Sequence, residues 1–151
     1  MSDDLQQLHR WADGLLTKLS PASLTQLARE IARSLRQSQS QRIAAQKNPD
    51  GSPFAPRKPQ LRSKKGKIRR QMFRKLRTAR YMKGKGDGQG ATISFLSDVQ
   101  HMAAVHQYGL RDRVNRYGLE VDYAQRQLLG FSAEDVTQIE DLITKYIDVI
   151  C

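Results

Sequence analysis

Residues 67–96 read KIRRQMFRKLRTARYMKGKGDGQGATISFL, and the hydrophobic period changes partway through. Ile68, Met72, Phe73, Leu76 and Ala79 recur at three- and four-residue spacing. Lys67, Arg69, Arg70, Arg74, Lys75, Arg77 and Arg80 fill the other positions, so the spacing predicts a basic amphipathic helix over 67–79. Four glycines between Lys83 and Gly90 then predict a flexible loop joining two strands. Ala91 to Leu96, with Ile93 and Phe95, reads as one strand, and Arg80 to Lys83 is expected to pair with it. A helix feeding a short hairpin argues for an α+β fold.

The C-terminal half continues the mixture. Asp98 to Tyr108 reads as a short helical or turn segment with Val99, Met102, Ala103 and His106 on one side. A basic loop, Arg111 to Arg116, leads to a second β region, Leu119 to Tyr123. Ser132 is placed to cap a final helix, with Asp135 at the capping-box position, and Val136, Ile139, Leu142, Ile143, Ile147 and Ile150 are expected to form its core face.

Toward the N-terminus, Ser2 or Asp3 can cap a first helix striped by Leu5, Leu8, Ala12, Leu15, Leu16 and Leu19. Ser20-Pro21 restarts the chain as a second helix, with Pro21 at its first position and Leu24, Leu27, Ala28, Ile31, Ala32 and Leu35 on one face. That helix is expected to run to about Gln46, its polar end SLRQSQSQRIAAQ leaving the core for solvent or a partner. The turn chemistry of 48–53 and the prolines at 53, 56 and 59 make 48–66 an extended arm. Phe54 is the arm's apolar anchor, laid over the domain or over a neighbouring subunit. The expectation is one domain over 1–151: two N-terminal helices, the basic helix, a small antiparallel or mixed sheet and a C-terminal helix.

Charge sets the question of partners. Fourteen of the 26 Lys and Arg residues fall between Arg57 and Lys85, without one Asp or Glu, and the net charge is +11. The last twenty residues carry Glu134, Asp135, Glu140, Asp141 and Asp148 against Lys145 alone. Such a field attracts nucleic acid, and it equally steers docking onto acidic protein. One reading is a nucleic-acid-binding protein that uses the basic segment 57–85. The other is a protein contact in which Arg69, Arg70, Arg74, Lys75, Arg77 and Phe54 face partners and Glu134, Asp135, Glu140 and Asp141 supply the complement. Phe73 and Tyr81 fall on or near the apolar stripe, which commits them to packing and favours the protein contact.

No catalytic constellation is visible. The single cysteine, Cys151, stands at the end of the chain, His9, His101 and His106 lack metal-binding spacing, and the glycines at 84, 86, 88 and 90 lack the ending of a phosphate loop. A protein that is not an enzyme, without cofactor or metal, is expected. MSDDLQQLHRW is too acidic and polar for a signal peptide and no run of eighteen apolar residues exists, so a cytoplasmic setting away from membranes is expected.

Three segments in order carry a resemblance: Asn48-Pro49-Asp50-Gly51-Ser52-Pro53-Phe54-Ala55-Pro56-Arg57-Lys58, then His106-Gln107-Tyr108-Gly109, then Ala124 to Asp135, AQRQLLGFSAED, leading into an apolar helix. Together with Leu76-Arg77 before the first strand, they resemble the phage virion morphogenesis family along nearly the whole chain. The family motif falls on His106, Gln107, Tyr108, Gly109, Arg126, Leu129 and Gly130. Many relatives have prolines flanking the arginine, whereas here Ala124 and Gln127 stand in those places. The resemblance implies a structural assembly protein at the head-proximal end of a tail, needed to finish the tail and make it competent to join a filled head. It also implies a ring of copies, commonly six-fold, with tail tube or tail terminator proteins and head connector or neck proteins as further partners. The protein would assemble in the host cytoplasm and end in the virion at the head-tail junction, where contact with phage DNA is the alternative use of its basic face.

Overall fold

The structure, a computed structural model, describes residues 2–18, 20–57, 71–113 and 116–150. Four helices and two small antiparallel hairpins follow in the order α1 (Ser2–Lys18), α2 (Pro21–Ala44), β1 (Met82–Asp87), β2 (Gly90–Phe95), α3 (Ser97–Tyr108), β3 (Arg111–Arg113), β4 (Glu120–Asp122) and α4 (Ala133–Ile150). The class is α+β, as the change of period implies.

Helix α2 is the axis of the fold. Ser20 caps it as expected, its hydroxyl accepting from the Ser23 amide at 3.1 Å, with Pro21 at the first turn. Its distal end does not leave the core. Ile43 is fully buried in the apolar cluster and Gln39 is buried beside it, because the Gln39 and Arg42 side chains bond to backbone that no helix or strand satisfies. Exposed leucines 5 and 8 on α1 belong to no part of this core.

The expected flexible loop is instead most of a hairpin. β1 pairs with β2 from Met82↔Phe95 to Asp87↔Gly90, so the strand runs through Gly84 and Gly86 and turns only at Gly88-Gln89. The Asp87 carboxylate accepts the amides of Gln89 and Gly90 at 2.8 and 3.1 Å, which closes the turn and holds that carboxyl below its ordinary value. Gly84 and Gly86 face α2. A Cβ at Gly84 would lie 3.1 Å from the Ala32 carbonyl oxygen, and at Gly86 2.3 Å from the Arg29 nitrogen. These glycines let a strand lie flush against a helix.

The expected basic helix is not one over its described part. Residues 72–81 form successive turns, with Phe73 in the left-handed region at φ 64°. The cause is tertiary: the Gln46 side chain accepts from the Met72 amide at 3.3 Å and donates to its carbonyl at 2.9 Å, taking both groups away from a helical ladder. Phe73 is thereby turned edge-on to Phe54, with ring centres 5.8 Å apart. Residues 67–70, including Arg69 and Arg70, lie outside the described residues.

Ile43, Phe54, Leu76, Met82, Ala103 and Leu128 form the core cluster, one residue each from α2, the arm, the 72–81 turns, β1, α3 and the segment between β4 and α4. The second β region pairs Glu120–Asp122 with Arg111–Arg113, so the start of the expected basic loop is a strand. Arg111 reaches Glu120 at 3.0 Å across the hairpin, and His101 on α3 reaches Asp112 at 3.2 Å, tying the hairpin to that helix. α4 keeps its expected cap: the Ser132 hydroxyl and Asp135 amide, and the Ser132 amide and Asp135 carboxylate, each lie 3.1 Å apart. Its apolar stripe is only partly a core face. Val136 is 45% and Ile143 37% exposed, while Ile139, Leu142 and Ile147 are half-buried, because α4 meets α2 through polar groups, Gln138 with Ser34 and Asp135 with Ser38.

Candidate functional site

The three motif segments, distant in sequence, converge on one irregular loop, residues 123–132 between β4 and α4. A loop has no ladder, so its amides and carbonyls need side-chain partners. Gln107 on α3 supplies three: its Oε1 accepts from Leu128 and Leu129 amides at 2.8 and 2.9 Å, and its Nε2 donates to the Leu129 carbonyl at 2.7 Å. Arg42 on α2 donates to the carbonyls of Lys47, Gln127 and Leu128, all at 2.8 Å. The arm joins in. Asn48 Oδ1 accepts the Gln127 amide at 2.9 Å, and Arg126, itself buried, donates to the Ala55 and Pro56 carbonyls at 2.7 and 2.9 Å. The Gln127 N–H that Asn48 holds is a group that a proline at this position would lack. Gly130 closes against the arm, where a Cβ would meet Pro49 Cγ at 2.5 Å. Gly109 ends α3 at φ 64° beneath Gln125.

At the heart of this latch Gln39 accepts from Arg42 at 2.6 Å and from the Gly130 amide at 3.1 Å, and donates to Asp135 at 3.2 Å. Ser38 donates a short bond to the same carboxylate. Burial draws the Arg42 guanidinium below its ordinary value while the Asp135 charge opposes that shift. The network fixes the loop to α2 and to the start of α4.

His106 takes part in this region through its ring. Its ring is packed edge-on between Phe73 and Tyr123, with centres 4.8 and 5.0 Å away, and Nδ1 is buried without a hydrogen-bond partner among the described residues. Burial and the Arg126 charge hold its pKa below the ordinary 6.5. Folding therefore favours neutral imidazole. The resulting stability is complete above the unfolded value and is lost as the unfolded chain takes up a proton, that is, as pH falls below about 6.5. The expected result is a denaturation midpoint that drops between pH 7.5 and 5.5 in the parent and drops less in His106→Phe. Equal drops would contradict it.

The expected partner-binding residues are divided by the structure. Phe54 lies in the core and Asp135 is 1% exposed, so both serve the fold. Arg74 and Lys75 are exposed, as are Glu134, Glu140 and Asp141 on α4, while Arg77 is half-buried with a 3.4 Å bond to Ser40. Of the motif residues, Tyr108 reaches the surface, 66% exposed, and Phe131 beside Gly130 matches it. They rim a cleft of about 510 Å³ floored by Ile93, Phe95, Ala103 and Leu129. Sequence reasoning passed over Gln39 and Arg42. A signal existed: 39, 42, 43 and 46 continue the three- and four-residue steps of the Leu35 stripe, marking polar side chains on a buried face.

The chain as a whole is similar to known proteins. The model of the phage virion morphogenesis family matches residues 3–148. The tail completion protein S of Escherichia phage P2 is 42% identical over 137 residues, covering 89% of this chain and 91% of that protein. No solved structure matches. With loop, arm and helix locked as one latch and the match running almost from end to end, the chain belongs to the phage virion morphogenesis family.

Proposed function

We propose that this chain completes the head-proximal end of a phage tail and makes the tail competent to join a head. The observation that carries this is the 42% identity to a protein named for tail completion, spread over 89% of the chain and so not confined to one motif. The role is structural rather than catalytic. One domain spans the chain, from which the exposed Arg74 and Lys75 and the acidic residues of α4 face other proteins. Those partners are copies of itself in a ring, tail tube or terminator proteins, and head connector or neck proteins. The protein acts in the host cytoplasm during assembly and remains at the head-tail junction of the virion.

Deleting the gene from the phage and viewing the lysate by electron microscopy tests this. Filled heads and finished-length but separate tails should accumulate, and purified protein added back should restore joined particles. A normal yield of infectious particles from the deletion would defeat the reading.

A further inference from the structure

We propose that a row of arginines on α2 is a docking groove for the acidic flank of α4 from a second copy of this chain. Arg29, Arg33 and Arg36 are spaced by four and three residues, which puts them on one side of the helix. With Gly84, Lys85 and Gly86 of β1 they line a groove of about 490 Å³. Arg29 and Arg33 are exposed and Arg36 is half-buried, and none of the three side chains has a hydrogen bond or ion pair with a described residue. Because the β1 glycines have no side chains, the strand presses to the helix backbone and leaves the guanidinium groups standing above it.

The complement is on the same chain. Glu134, Asp141 and Asp148 recur at seven-residue steps along α4, all exposed and none in an ion pair among the described residues, with Lys145 the helix's single basic residue. Glu134 to Asp141 and Arg29 to Arg36 each span seven residues, about 10.5 Å of helix, so two carboxylates register with the two ends of the arginine row. They cannot meet within one molecule's packing. α4 lies along the side of α2 that carries Ser34 and Ser38, whereas the arginines turn toward β1. Row and stripe are thus offered on different sides, the heterologous arrangement in which each copy gives one surface and receives the other. The contact deepens the tail-completion reading by naming the surfaces through which copies meet.

Sedimentation velocity of the purified protein, without tails, tests it. The parent should self-associate at about 0.05 M salt and dissociate toward about 0.5 M, since exposed pairs are screened. Arg29→Glu/Arg33→Glu and Glu134→Lys/Asp141→Lys should each weaken self-association by roughly 100-fold or more while keeping the parent's circular dichroism. Mixed in equal amounts, the two variants should associate again as alternating copies, because reversed row meets reversed stripe and native row meets native stripe. If a reversal perturbs the fold, Arg29→Gln/Arg33→Gln must still weaken association without repulsion. A parent that stays monomeric at low salt, variants that associate like the parent, or a mixture that fails to recover would overturn the proposal. So would loss of duplex DNA retardation with sedimentation unchanged, which makes the groove a nucleic-acid surface. Tail attachment is scored separately: attachment lost with self-association intact removes this contact and leaves tail completion standing.

Discussion

Gly86→Ala should destabilise the protein by on the order of 3 kcal/mol. The added methyl would lie 2.3 Å from the Arg29 nitrogen, 2.4 Å from the Ala28 carbonyl carbon and 2.6 Å from the Arg29 Cα. All three are backbone atoms of a helix interior, so no rotamer change relieves the overlap. The strand must move off α2, and its neighbours Met82 and Ile93 then lose packing in the cluster around Ile43 and Leu128. Gly88→Ala is the control. Its Cβ would meet only Thr25 Oγ1, at 3.9 Å, an ordinary contact, and its cost should stay below about 1 kcal/mol. Thermal melts of the two variants check this, with a midpoint roughly 10 °C lower expected for Gly86→Ala alone. Matching midpoints would refute the close approach.

The same glycines show what could be read from sequence and what could not. Ser20-Pro21 and Ser132 with Asp135 were legible because a cap is decided within four residues, by a hydroxyl or carboxylate and the amides it reaches. The hairpin was legible in kind, yet its extent was not. Gly84 and Gly86 look like flexibility when judged by their own backbone freedom, and only a helix more than fifty residues earlier in the chain, pressed against them in space, explains why side chains are missing there. The segment 72–81 failed for a related reason. Its apolar spacing suits a helix, but turns can bury the same residues, and the choice is made by Gln46 from outside the segment.

The site was legible as a set of motifs and not as a set of contacts. His106, Gln107, Arg126 and Gly130 do come together, though for Gln107 and Arg126 the chemistry is that of a latch on backbone outside any helix or strand, and its other half was hidden in the polar end of α2. Hydrophobic periodicity cannot see a core surface made by Gln39 and Arg42. Charge counting was equally blind to depth: it grouped Glu134 with Asp135, one exposed and the other buried.

That pair gives the sharpest separation of folding from assembly. Asp135→Ala should cost about 3–5 kcal/mol, because it removes a buried carboxylate and leaves its partners facing apolar space. The Ser38 hydroxyl, the Gln39 amide and the Ser132 amide would all lose their acceptor, and Arg42 would keep its charge without the opposing one nearby. Asp135→Asn should fall in between. It preserves shape and one acceptor oxygen but turns an NH2 group toward one of the donors on the other oxygen, so the order parent, Asn, Ala is expected in denaturant midpoints. Glu134→Ala, one residue earlier, should leave the midpoint within about 0.5 kcal/mol of the parent, since the side chain is exposed and holds no ion pair among the described residues. Its effect should appear instead as weaker association between copies. Reversed roles, with Asp135→Ala stable and Glu134→Ala unfolded, would mean that the latch does not hold α4 to α2.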